Sequence, residues 1–316
     1  MNESDLLLPA PTAKASEFID RGRTMKTSPD RSLRANGAKL LIIHADDLGM
    51  AHAVNVAAFN AYEAGHITSG SVMIPCGWLP EVAAFARANP DFDLGVHLTL
   101  TSEWSSCRWG PVAPKHEVSS LLDPDGYFWP DEKQASRRVR KEEVEVELRA
   151  QVERALQLGI RPTHLDSHMM TLFTTLELRG VFSSVARAYG IPTLQFRYPE
   201  TSTELPDAYQ TGEIVIDRLF SIDAETEPSD WARWYRELLL GLEPGLNQLI
   251  VHPGLNTPEL EAMMGSSSSF GAEWRERDSV TLASAEFQEM IEALDIKLVG
   301  WNQLQENPSK APLRRE

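Results

Sequence analysis

Short apolar runs alternate with helix-like segments along most of this chain, and that alternation restricts its fold more than any other feature. The strand-like runs are Leu40–His44, Ser69–Pro75, Leu94–Leu100, Thr163–Asp166, Thr193–Phe196, Glu213–Ile216, Gln248–His252 and Lys297–Gly300. The helix-like segments are Ala53–Ala64, Leu79–Ala88, Lys141–Leu158, Glu177–Tyr189, Asp230–Leu240 and Ala283–Leu294. In the segment from Lys141, the residues Val144, Leu148, Val152, Ala155 and Leu156 share one face at helical spacing. Gly159 then ends it, and Pro162 precedes the next strand. Strands separated by helices pair in parallel and leave the helices outside. Eight such strands suit an α/β fold of the (β/α) barrel kind. An open doubly wound sheet satisfies the same alternation.

The ends of the chain do not take part. Residues 1–37 are polar and aperiodic and read as an N-terminal extension, an arm against the domain or against the partner subunit of a homodimer. Residues 38–305 form the barrel-like domain, and 306–316 a C-terminal tail. One stretch breaks the repeat. Residues 101–140 hold Trp104, Trp109 and Trp129 among several Pro and Gly, and read as an insertion facing the substrate.

The polar residues fall where barrels and open α/β sheets build sites, at the carboxyl ends of strands. "LLIIHADDLG" drives four apolar residues into the adjacent carboxylates Asp46 and Asp47. "LGVHLTL" presents His97, "THLDSH" presents His168 and "LIVHPG" presents His252. A carboxylate with two imidazoles makes a three-donor set for a divalent ion, with positions left open for water and substrate. Such an ion lowers the pKa of its water and polarises a carbonyl. It also accounts for paired aspartates, because one can neutralise the ion while the other takes a proton. His252, from a separate strand, can serve as a proton donor. Asp166 is placed to orient a ligand imidazole or to cap a loop. His44, His52, His66, His116 and His164 read as surface or packing residues. Trp104, Trp109 and Trp129 can stack on sugar rings or pack within the loop.

At these residues the sequence resembles the YdjC-like (ChbG-type) carbohydrate deacetylases, relatives of the polysaccharide deacetylases. The shared segments are "ADDLG" with Val54–Asn55, "GHITSGSVM", "LGVHLTLT", "THLDSH" and "HPG", in order from about residue 40 to about residue 300. The resemblance implies a distorted, TIM-like (β/α) barrel of the glycoside hydrolase/deacetylase type. It implies removal of acetyl groups from N-acetylated sugars or oligosaccharides by attack of a metal-bound water. Asp47, His97 and His168 would hold one divalent ion, zinc or magnesium first and manganese or cobalt next. Asp46 would be the general base and His252 the general acid. Arg275 and Asp278, in "EWRERDSVTL", would orient the base or bind substrate. Two positions depart from the family pattern, Leu48 where Phe is frequent and Met170 where a further His is frequent.

Composition narrows the alternatives. A net charge of −16, from 30 basic and 46 acidic residues, argues against a nucleic-acid partner. No run of about 18 apolar residues exists to span a membrane. The start, "MNESDLLLPAPTAKASEFID", has acids where a secretory leader needs a basic end. The only two cysteines, Cys76 and Cys107, have no metal-cluster spacing and suit a reducing compartment. The expectation is a cytoplasmic enzyme. Two rival functions remain. One is a metal-independent barrel glycosidase working with paired carboxylates such as Asp46 and Asp166. The other is a sugar-binding relative without catalysis.

Overall fold

The structure, a computed structural model, describes residues 37–196, 214–265 and 269–304. The extension and the tail read from the sequence lie outside the described residues, apart from Gly37. In chain order the main elements are β1 (Lys39–Leu48), α1 (His52–Glu63), β2 (Ser69–Val72), α2 (Leu79–Ala88) and β3 (Leu94–Leu98). Next come α3 (Glu132–Ser136), α4 (Lys141–Gln157), β4 (Leu165–Ser167) and α5 (Leu176–Tyr189). After these follow β5 (Arg218–Ser221), α6 (Trp231–Gly241), β6 (Gly245–Val251), α7 (Pro258–Met264), α8 (Ala272–Leu282), α9 (Ala285–Ala293) and β7 (Lys297–Leu298).

All strand pairings are parallel, in the order β4-β3-β2-β1-β6-β5, with β7 also on β1. β1 is the central strand. It pairs with β6 over Lys39–Ala45, with β7 at Leu40–Leu41, and with β2 from His44 onward. The run Thr193–Phe196, expected as a strand, makes single bridges instead, Thr193 to Leu165 and Phe196 to Ile216. These join the β4 edge to the approach to β5, so the curled sheet closes through isolated bridges rather than a ladder. The strand expected at Glu213–Ile216 begins outside the described residues, and the paired strand is Arg218–Ser221. Pairing with β6 starts after Asp217, whose carboxylate accepts the Leu246 N–H.

Strand alternation sorts β1 into two faces. Leu41, Ile43 and Ala45 join the main core under the helices. Leu40 and Ile42 join a second, inner cluster with Leu194, Phe196, Ile216, Leu246, Val299 and Trp301. That cluster plugs the amino end of the barrel, and the same inward face continues upward as His44 and Asp46. The helix from Lys141 buries Val144, Leu148, Val152 and Ala155, the face its spacing marks, while Leu156 is half-buried. No described helix is long and apolar enough to cross a membrane.

The insertion at 101–140 is tied down on both sides. The Trp109 indole donates to the Thr101 carbonyl and the Trp129 indole to the Ser120 carbonyl. From α4, the Glu147 carboxylate accepts the N–H groups of Val112 and Ala113 at 3.0 and 2.9 Å. Gln151 bonds both backbone groups of Thr99 and also donates to Glu147. Burial pushes the Glu147 carboxyl up to about 7 despite these donors. The folded state therefore holds this proton more tightly than the unfolded chain does, so stability falls as pH rises through that value. Glu147→Gln removes the titration. Chemical denaturation from pH 5 to 8 is expected to show wild type losing up to about 3 kcal/mol relative to the variant. Parallel stability profiles would refute this.

Candidate metal centre

Two adjacent carboxylates can face one site only if the strand breaks its alternation between them. Asp47 has φ 69°, in the left-handed region, and the β1–β2 register shifts between Ala45 and Leu48. Asp46 and Asp47 therefore both point into the barrel mouth. Aspartate tolerates this conformation better than most residues.

Asp47 Oδ1 lies 3.4 Å from His97 Nε2 and 3.2 Å from His168 Nδ1. His97 comes from β3, and His168 follows β4 directly. Asp47 Oδ2 accepts from Arg275 Nη2 at 2.6 Å. Burial alone would raise Asp47, but Arg275 and the two imidazoles hold its carboxyl well below the usual carboxylate range. Oδ1 itself is buried and receives no hydrogen bond of acceptable geometry. One donor atom each from Asp47, His97 and His168 lies within 4.8 Å of the others. An unpaired buried carboxylate oxygen between two imidazole nitrogens fits a divalent cation.

His97 turns its other nitrogen, Nδ1, to Asp166 Oδ1 at 2.8 Å. Asp166 thus contacts the imidazole from β3, not its sequence neighbour His168. Asp166 Oδ2 accepts from His44 Nε2 at 2.9 Å, and the same nitrogen lies 3.1 Å from Asp46 Oδ1. His44, a surface or packing residue on sequence grounds, is fully buried and joins the two carboxylates. Its Nδ1 meets Ser69 Oγ, whose hydroxyl proton goes to Asp93. Both ring nitrogens of His44 must then donate, which makes it an imidazolium. Burial opposes that charge, but Asp166 and Asp46 outweigh it and raise His44 to about 9. The signal was present in the sequence, since His44 stands two residues before Asp46 on an alternating strand. His164 is also fully buried, stacked on Trp301 beneath the site. Its ring would lie 2.5 Å from a Cβ at position 95, so β3 carries Gly95 there. His52 and His116 are exposed and His66 is half-buried.

His252 follows β6, with Nε2 3.9 Å from Asp46 Oδ2. Its Nδ1 is buried without a partner, and Phe270 and Trp274 pack edge-on against the ring. Burial holds His252 down to about 4 despite the nearby aspartates, so its resting form is neutral. Asp278 accepts the His252 backbone N–H at 2.8 Å and the Tyr235 hydroxyl. It fixes the strand end, not the imidazole. The Gly of "HPG" has a packing reason as well as a turn role: a Cβ at Gly254 would sit 2.8 Å from the Arg275 Cβ.

A cavity of about 1310 Å³ opens above these groups. Asp46, Asp47, His97, His168, His252 and Arg275 line it, with Glu103, Trp104, Met169 and Met170 at its wall. Of the two roles open to Trp109, the structure has loop packing: it is buried in the insertion, its ring 6.3 Å from that of His168. Asp166 and Asp278 lie behind the wall. Glu103, which sequence reasoning passed over, faces His168 Nε2 at 3.0 Å. It lies in an irregular loop, where no periodicity could mark it.

A parallel α/β barrel with an Asp–His–His cluster at the carboxyl edge of its strands defines a barrel protein built around a candidate divalent-cation centre. Residues 40–293 match the profile of a family described as YdjC-like protein. The chain is 36% identical over 239 residues to a carbohydrate deacetylase of Thermus thermophilus, covering 73% of this chain and 83% of that protein. It is 28% identical over 267 residues to a carbohydrate deacetylase of Enterococcus faecalis, covering 84% and 98%. A crystal structure from Enterococcus faecalis V583, described as a candidate cellobiose-phosphate cleavage protein, superposes with TM-score 0.71. That match has 28% identity and covers 85% of this chain and 100% of the other. The chain belongs to the YdjC-like family.

Proposed function

We propose that this protein is a metal-dependent carbohydrate deacetylase that hydrolyses the acetamide group of N-acetylated sugars or oligosaccharides. The observation that carries the reading is Asp47 Oδ1, buried and with no hydrogen bond of acceptable geometry, facing His97 Nε2 and His168 Nδ1. Deacetylase relatives that span most of the chain support it. Asp47, His97 and His168 would hold one divalent ion, zinc or magnesium first, with manganese or cobalt also compatible with mixed oxygen and nitrogen donors. When bound, such an ion supplies a Lewis acid that polarises the amide carbonyl and acidifies water.

The protein's own groups do the rest. Arg275 occupies Asp47 Oδ2 and leaves Oδ1 turned to the imidazoles. Asp46 stays outside the donor set, with Oδ1 against His44 and Oδ2 toward His97 and His252. It is the group placed to take the proton of the attacking water at Oδ2. His252 Nε2 protonates the departing amine. Because its resting form is neutral, it takes that proton from Asp46, whose Oδ2 lies 3.9 Å away and carries the proton removed from water, and a low pKa makes it a strong donor once charged. The cavity exceeds the roughly 300–1,000 Å³ of ordinary small-molecule pockets, which suits a substrate of more than one sugar ring. Two free cysteines, one buried and one half-buried, suit a cytoplasmic location.

The glycosidase alternative is disfavoured by one contact set. Asp166 is occupied by His44 and His97 and lines no part of the cavity, so it does not flank a glycosidic bond. The test is acetate release from a panel of N-acetylated mono- and oligosaccharides. Acetate is expected, abolished by chelator and restored by a divalent ion. Cleavage of glycosidic bonds that ignores chelator would favour the glycosidase. Sugar binding without acetate under any ion would favour a non-catalytic relative.

A further inference from the structure

We infer that Glu103 is a positioning residue for His168, so that the insertion after β3 forms part of the metal centre. The inference rests on the proposed role of His168 as a ligand. His168 Nδ1 faces Asp47 Oδ1 at 3.2 Å, while Nε2 meets Glu103 Oε2 at 3.0 Å. An imidazole that gives one nitrogen to a cation carries its proton on the other. Here that N–H donates to Glu103, which fixes both the tautomer and the ring plane. The arrangement mirrors His97, whose Nε2 faces the centre while Nδ1 meets Asp166. The two rings thus use opposite nitrogens, each backed by its own carboxylate. Asp166 lies on a buried strand, whereas Glu103 comes from the insertion.

Glu103 is well placed for a fixed contact. Its side chain is only 19% exposed, and His168 is its ion-pair partner among the described residues. The backbone before it is pinned: the Ser102 N–H donates to the Trp129 carbonyl at 2.8 Å, and Ser102 Oγ accepts the Trp109 N–H at 3.0 Å. The Trp109 indole closes the same turn on Thr101 at 2.7 Å. A carboxylate so held makes His168 a stronger donor and removes its freedom to rotate.

The test is calorimetric titration of the ion-free full chain with zinc and with cobalt, in wild type, Glu103→Gln and Glu103→Ala. Glu103→Gln keeps the shape without the charge, and its ion affinity is expected to fall about 10–100-fold. Glu103→Ala should lose at least as much. The visible absorption bands of the cobalt-loaded protein are expected to shift in both, while the ion-free melting temperature of Glu103→Gln, whose amide oxygen still accepts from His168, stays at the wild-type value. Variants with wild-type affinity and unshifted bands would overturn the inference and leave the ligand set standing. A fall in ion-free stability that accounts for the lost affinity would overturn it too, by making Glu103 a structural residue of the loop. A wild type that retains no divalent ion would overturn the ligand reading of His168, and this inference with it.

Discussion

Replacing Asp46 by Asn is expected to lower deacetylase turnover about 10²–10⁴-fold while the divalent ion stays bound. The amide keeps the shape of the side chain but cannot take a proton. Asp46 gives no atom to the cluster of Asp47, His97 and His168, although it forms a second cluster with His97 and Asp166. Elemental analysis of Asp46→Asn should therefore match wild type. The fold should tolerate the change, because the His44 imidazolium keeps Asp166 as its counter-charge at 2.9 Å. A variant that retains full activity would remove Asp46 from the role of base. A variant that loses the ion would make Asp46 a ligand instead.

The second large effect concerns the imidazoles. His97→Ala and His168→Ala are each expected to leave the purified protein without its divalent ion and without measurable acetate release. The two should differ in stability. Removing the His97 ring strips a buried partner from Asp166 Oδ1 and from Ser71 Oγ. A buried polar group left unpaired costs about 1–3 kcal/mol, so the melting temperature of His97→Ala should drop clearly. His168→Ala frees Glu103, which can turn to water, and should melt closer to wild type. Ion retention in either variant would end the Asp–His–His assignment.

The placement of Asp47, His97 and His168, the candidate donors, was legible because each stands at the end of an apolar run, where alternation and length put it on one edge of a sheet. The helices at Leu79–Ala88 and Lys141–Gln157 were legible through their apolar spacing. α8 was not, and the reason is physical. Its buried face includes Arg275 and Asp278 beside Ala272, Trp274 and Leu282, so a site-building helix carries polar residues where an amphipathic pattern would show apolar ones. His44 and His164 were under-read for a related reason. Histidines inside a barrel mouth have no surface signature, and only their inward parity with Asp46 and Asp166 could reveal them. Glu103 needed the fold itself, because an irregular loop carries no register. The shift of the sixth expected strand to Arg218–Ser221 reflects a half-exposed strand at the end of the β4-to-β5 path, where apolar content marks position poorly.

The left-handed backbone at position 47 also limits how this centre could be redesigned. Asparagine and histidine share aspartate's tolerance of that conformation, whereas β-branched or bulkier residues adopt it at greater cost. Exchanging Asp47 for glutamate, in order to reach a cation held farther from the strand, would set the longer donor against the turn that aims it. Such a change is thus expected to require remodelling of the peptide around Leu48–Gly49 along with the side-chain swap.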